Sequence, residues 1–277
     1  MRAWRVAPPT TAALAVLTGC AVLTGAAVTG AVLAGCAAPP PARVPVAAPQ
    51  RPAVDPETLA RRLTAMQPDW PDPDCGRCVA LTFDDGPGDD TARLLDTLRE
   101  YGARATFFVV GRMVAAPGGH ARLRRIVADG HELGNHSWTH TELTTLPPRL
   151  IAQELQRTGD LVRSLTGVRM HLMRPPYGST DRRVAAESRQ RGLAQILWSV
   201  DTYDWRDRVS SVVARRAAQA KAGSVVLMHD IHRSTVDAVP RILETLTRKG
   251  FRLVTVSELY RTPPRPGRRY READPER

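Results

Sequence analysis

The chain has 277 residues, 43% hydrophobic and 24% charged, with a net charge of +11. That mixture excludes a disordered chain and a multi-span membrane protein and fits one or two folded domains. Lys221 and Lys249 are the only lysines, so the excess charge is arginine. It is spread along the chain rather than gathered in one patch, which argues against nucleic acid as the partner.

Residues 1–36 read as an export segment. Arg2 and Arg5 are the only charges before an uncharged apolar run over 11–34, the pattern of a secretory signal. The run ends Leu33-Ala34-Gly35-Cys36, which has the form of a bacterial lipobox, where the cysteine is lipidated and becomes the new N-terminus. Leu17-Thr18-Gly19-Cys20 has the same form but is followed by more apolar residues. Cys36, followed by a polar proline-rich stretch, is therefore favoured. An uncleaved anchor, for which the run is long enough, and simple secretion are the alternatives. All three place the rest of the chain outside the cytoplasm, and the first two make the membrane a partner through a lipid or an N-terminal anchor. Residues 37–73 form a linker that opens with Pro39-Pro40-Pro41. Proline keeps such a stretch extended and semi-rigid, and a short helix over 57–66 is expected behind Asp55.

Cys75 and Cys78 come next. Outside the cytoplasm a local disulfide is favoured. A zinc knuckle would need two further ligands, and two free thiols remain the third reading.

Over 74–260, β-prone apolar runs alternate with helical periodicity. Strands are predicted at 78–83, 105–110, 131–134, 170–173, 193–199, 224–228 and 251–254. Helices are predicted from near Asp90, with Leu94, Leu95 and Leu98 on one face, and over 119–128, 148–165, 181–191, 209–221 and 235–249. Several stop at a glycine, among them Gly167 and Gly192, as C-caps do. Short buried strands between helices argue for parallel β/α units. Seven units suggest a barrel, in which chemistry sits at the C-terminal ends of the strands. Residues 261–277, rich in arginine and proline, are expected to be a disordered tail.

Five segments fall at or just after predicted strand ends. Thr82-Phe83-Asp84-Asp85-Gly86-Pro87 joins two carboxylates, which need a compensating cation, to a forced turn; Asp-Gly turns are also common as plain loop caps. His136-Ser137-Trp138-Thr139-His140 spaces two imidazoles at i and i+4, which on a helix puts them on one face within reach of a single metal ion; two solvated histidines on a loop are the plain alternative. Arg174-Pro175-Pro176-Tyr177-Gly178 makes a rigid loop whose arginine could grip a carboxylate bidentately, or else a purely structural turn. The last two are Asp201-Thr202-Tyr203-Asp204-Trp205 and Val226-Leu227-Met228-His229-Asp230.

Taken together, the five resemble in order and spacing the motif set of the polysaccharide deacetylases, the NodB-like domain also called carbohydrate esterase family four. The resemblance covers about 74–260 and implies a distorted (β/α)7 barrel. It also implies that Asp85, His136 and His140 bind a divalent metal, zinc first and cobalt or another ion as alternatives. That metal would lower the pKa of its bound water and polarise an acetyl carbonyl, with Asp84 as the general base. Arg174 would pair with Asp84, and the Tyr177 N–H would help stabilise the oxyanion. His229 would be the general acid, held in its state and orientation by Asp201, while Trp205 and Leu227 would line the pocket for the acetyl methyl. Asp204, Asp230, Asn135 and His131 are expected to be supporting residues, and His120, His171 and His232 surface ones. The implied activity is removal of N-acetyl groups from an extracellular polysaccharide, with peptidoglycan suggested by the export segment and linker. Chitooligosaccharides, poly-N-acetylglucosamine and acetylxylan are alternative substrates. A silent wall-binding module is disfavoured because no key motif residue is missing.

Overall fold

The computed structural model describes residues 75–260 and 262–274, apart from the side chain of Cys75. All of these lie in the unit Pro52–Arg277. The expected export segment, with Cys20 and Cys36, and the expected linker lie outside the described residues. Among the described residues no helix is long and apolar enough to cross a membrane.

Among the described residues nine strands form one sheet. They are β1 (Cys78–Asp84), β2 (Thr106–Val109), β3 (Glu132–Asn135), β4 (Leu172–Met173), β5 (Ala194–Ile196), β6 (Val200–Asp201), β7 (Val225–His229), β8 (Arg252–Val254) and β9 (Arg269–Tyr270). Their order is β6-β7-β1-β2-β3-β4-β5-β9, and every pairing is parallel. β8 takes the first half of one edge of β1, at Cys78–Ala80, and β2 takes the second, at Thr82–Asp84. The sheet curls with its ends, β6 and β9, unpaired to each other. This is the expected distorted (β/α)7 barrel.

β1 is the spine, and all seven of its residues are buried. Side chains alternate along a strand. Val79, Leu81 and Phe83 join the larger core, which the helices cover, while Cys78 and Ala80 join a second cluster with Phe108, Ile196 and Val225. Thr82 and Asp84 continue that second series, so the strand's own period aims Asp84 into the barrel.

The helices are α1 (Thr91–Glu100), α2 (Gly111–Ala115), α3 (Gly119–Ala128), α4 (Pro148–Thr166), α5 (Arg182–Gln190), α6 (Asp204–Asp207), α7 (Ser210–Ala217), α8 (Arg233–Arg248) and α9 (Val256–Leu259). On α1 the expected Leu94, Leu95 and Leu98 are buried. α4 opens with proline in its first turn and closes at Gly167, whose φ of 75° suits a residue without Cβ. The short α2, α6 and α9 carry too few turns to leave a periodic pattern and were not predicted.

The strand expected at 193–199 splits. Leu197 N donates to Tyr270 O while Ser199 N donates to Val225 O, so the chain leaves one side of the sheet opening and crosses to the other. Cys78 is disulfide-bonded, which removes it as a metal ligand.

Within the tail expected to be disordered, the described residues 262–274 are ordered. Arg269 and Tyr270 pair with Gln195 and Ile196 of β5. Ser224 and Glu272 then form an antiparallel bridge at the start of β7. Composition misleads here because strand pairing is a long-range event that local arginine and proline content does not encode.

Candidate metal and catalytic centre

Asp84 ends β1, and Asp85 turns out of it in the left-handed region at φ 71°. Gly86 follows because nothing larger fits: a Cβ there would stand 2.2 Å from Asp230 Oδ1. Asp230 itself is fully buried, accepts from Thr91 Oγ1, and has its carboxyl pushed up to about 7 by burial.

His136 follows β3, its N–H donating to Val109 O at 3.0 Å. Its Nδ1 lies 2.7 Å from Arg174 O. A carbonyl can only accept, so Nδ1 carries the hydrogen and Nε2 is left as a lone-pair donor. The segment from His136 to His140 is a bend, not the helix face that the spacing suggested. Ser137 and His140 adopt φ of 65° and 61°, and that double reversal brings the second imidazole back. The bend is tied internally by His140 N to Ser137 Oγ at 3.0 Å and Ser137 N to Asn135 Oδ1 at 2.9 Å.

Glu154 on α4 ties the bend from outside. One of its oxygens accepts from Trp138 N at 2.9 Å, Thr139 N at 2.8 Å and Thr139 Oγ1 at 2.9 Å. Sequence reasoning missed this residue, which lies fourteen positions beyond His140 on a helix with ordinary polar patterning.

Asp85 Oδ1 stands 3.3 Å from His136 Nε2 and 3.2 Å from His140 Nε2. The three ligand atoms lie within 4.8 Å of one another. Asp85 Oδ1 is buried with no hydrogen-bond partner. Atoms sharing a tetrahedral ion with bonds of about 2.0–2.1 Å stand about 3.3 Å apart. These residues therefore fit a divalent cation. Burial opposes the charged form of Asp85, but the adjacent imidazole of His136, with those of His140 and His229, holds its carboxyl well below the usual range.

Arg174 is fully buried beside Asp84. Its Nη1 donates to Asp84 Oδ1 at 2.7 Å and to Thr82 Oγ1 at 2.8 Å, Nε to Ile196 O at 3.0 Å, and Nη2 to Leu197 O at 3.1 Å. The bidentate grip suggested by sequence is not made. One nitrogen holds the carboxylate and the others are spent on main-chain acceptors, so the guanidinium is fixed from several directions. The Phe108 ring lies 4.2 Å from its Cζ.

His229 ends β7. Its Nδ1 lies 2.8 Å from Asp204 Oδ1, and its main-chain N–H donates to Asp204 Oδ2 at 2.7 Å. Asp204 thus holds the position expected of Asp201, whose carboxylate instead accepts from Tyr203 N at 2.8 Å. The one-turn α6, entered through Tyr203 at φ 52°, is what carries Asp204 inward to full burial. Burial works against the charged His229 ring, but the hydrogen bond and charge of Asp204, with the charges of Asp84 and Asp85 behind it, push its pKa up to about 9. His232, expected at the surface, is buried with its ring 5.8 Å from that of His229.

Tyr177 takes φ 62° and its exposed ring meets His140 edge-on at 4.8 Å. Trp205 is 47% exposed beside Tyr203, whereas Leu227 is buried on β7.

The family profile for polysaccharide deacetylases matches residues 72–196. The chain is 40% identical over 195 residues to the peptidoglycan-N-acetylglucosamine deacetylase PgdA of Listeria monocytogenes, covering 70% of this chain but only 41% of that relative. It is 35% identical over 215 residues to a chitooligosaccharide deacetylase of Bradyrhizobium, 72% of this chain and 97% of the relative. A solved structure described as T48 deacetylase with substrate superposes with a TM-score of 0.68 at 41% identity, over 71% of this chain and 98% of that one. With these likenesses added to the site geometry, the chain belongs to the polysaccharide deacetylase family, carbohydrate esterase family four.

Proposed function

We propose that this chain is a metal-dependent N-deacetylase of an acetylated polysaccharide outside the cytoplasm, with peptidoglycan as its first substrate. The observation that carries the reading is the gathering of Asp85, His136 and His140 around one point, beside the Arg174-bound Asp84 and the Asp204-bound His229. Two neutral imidazoles and one carboxylate suit zinc, with cobalt next. A divalent cation held there would supply Lewis acidity, activating water and polarising the acetyl carbonyl.

The remaining work falls to the chain. Asp84, fixed by Arg174, is the base that takes a proton from the attacking water. His229 gives its Nε2 proton to the leaving nitrogen, since Nδ1 is committed to Asp204. An amine leaves poorly without a proton, so a histidine kept protonated well above neutrality suits an amide more than an ester. The Tyr177 N–H is assigned to the oxyanion, and Trp205 and Leu227 to the acetyl methyl. Peptidoglycan is supported by the name of the Listeria relative and by the export segment, whose favoured form is a lipoprotein at Cys36. A chitooligosaccharide substrate is the second reading, supported by the Bradyrhizobium relative, which the match covers almost end to end.

Acetate release decides between them. Purified chain, stripped of metal and reloaded with zinc or cobalt, is presented with peptidoglycan fragments, chitooligosaccharides and acetylxylan. Release from none of them by protein that has bound its metal overturns the proposal. Mass spectrometry of the mature N-terminus separates lipidation, anchoring and secretion.

A further inference from the structure

The segment 262–274 runs across the opening of the barrel and grips both sides. Toward β5, Gly267 N donates to Leu193 O at 2.8 Å, Gln195 N to Arg268 O at 2.8 Å and Leu197 N to Tyr270 O at 2.7 Å. Toward β7, Ala273 N donates to Gly223 O at 2.8 Å. Both footholds are close-fitting: a Cβ on Gly267 would stand 2.8 Å from Ala185 O, and one on Gly223 would stand 2.0 Å from Ala273 O.

One peptide group connects this segment to the catalytic site. The Ile196–Leu197 peptide gives its N–H to Tyr270 O and its carbonyl to Arg174 Nε at 3.0 Å. The next carbonyl, Leu197 O, accepts Arg174 Nη2 at 3.1 Å. Arg174 Nη1 then reaches Asp84 Oδ1 at 2.7 Å. Without β9, the three-residue β5 would be an edge strand, and edge strands open locally at low cost. The acceptors that aim a fully buried guanidinium would then sit on a fraying segment.

We infer that residues 262–274 are a positioning element of the catalytic site, fixing through β5 the arginine that aims Asp84. This rests on the deacetylase reading proposed above, and turnover by the intact, metal-loaded chain settles that reading first. A chain lacking residues 262–277 is then compared with it. The expected result is a fall in kcat of tenfold or more, with KM within twofold. Zinc affinity should also stay within twofold, because Asp85, His136 and His140 make no bond to this segment. A synthetic peptide of residues 262–274 should restore kcat. Unchanged kcat overturns the inference, as does a loss of zinc affinity in step with kcat, which marks general unfolding.

Should the shortened chain not fold, Gly267→Val, which displaces the segment without deleting it, is read by the same criteria.

Discussion

Asp204 grips His229 twice, one carboxylate oxygen on the ring Nδ1 and the other on the same residue's main-chain N–H. Thr235 Oγ1 also donates to Asp204 Oδ2, at 2.6 Å, so the carboxylate is locked before any substrate arrives. His229 must carry a proton to act as an acid, and its raised pKa keeps it competent up to about pH 9. Asp204→Asn removes the charge that outweighs burial, so the alkaline limb of kcat should move to lower pH, with a loss of roughly 10²–10⁴-fold at neutrality. Asp201→Asn should leave the profile in place. A pH–rate series of acetate release on the two variants checks this, and a shift confined to Asp201→Asn would reverse the assignment.

Asp84 and Arg174 form a buried pair with side chains 3% and 0% exposed. Asp84→Asn should lower acetate release by about 10²–10⁴-fold, as expected for loss of a general base. It should also leave a buried guanidinium without its counter-charge, destabilising the fold by about 3 kcal/mol. Bound zinc should stay near one per chain. Turnover at the native rate would refute Asp84 as the base, and an unchanged denaturation midpoint would refute the energetic role of the pair.

Glu154 holds the bend between the two histidines without touching the cation site itself. Truncation in Glu154→Ala should weaken zinc binding about 10–100-fold, the usual cost of losing a residue that orients a ligand. Glu154→Gln, which keeps an acceptor oxygen, should retain most of the affinity. Competition with a chelating dye measures both, and equal zinc affinity in Glu154→Ala and the native protein would rule the role out.

His131 supplies a pH dependence of stability away from the chemistry. Its Nδ1 accepts from Ala105 N at 3.2 Å, and burial, reinforced by the charges of Arg104 and Arg125, lowers its pKa to about 4. A depressed folded pKa means that the unfolded chain binds the proton more tightly. The stability from neutral His131 is therefore complete above the unfolded value near 6.5 and is lost as pH falls toward 4, by on the order of 3 kcal/mol in total. Urea denaturation at pH 7 and pH 4.5 should show a smaller acid loss in His131→Asn than in the native chain. Identical losses would contradict the assignment.

Much of this protein is legible in one dimension because the relevant forces are local. Strand alternation in β1 aims Asp84 inward, and the leucines of α1 declare their buried face. The five short motifs carry, in order and each at a strand end, the residues proposed here as metal ligands, base and acid. What the sequence left open depends on contacts between distant segments. Two aspartates three residues apart compete for His229, and only the left-handed entry at Tyr203 and the single turn of α6 select Asp204. The bend between His136 and His140 is set by a carboxylate on another element, so spacing alone suggested a helix. An arginine- and proline-rich tail reads as unstructured until β5 offers it an edge, because a parallel pairing gains its hydrogen bonds only after the rest of the barrel has closed the loop between them.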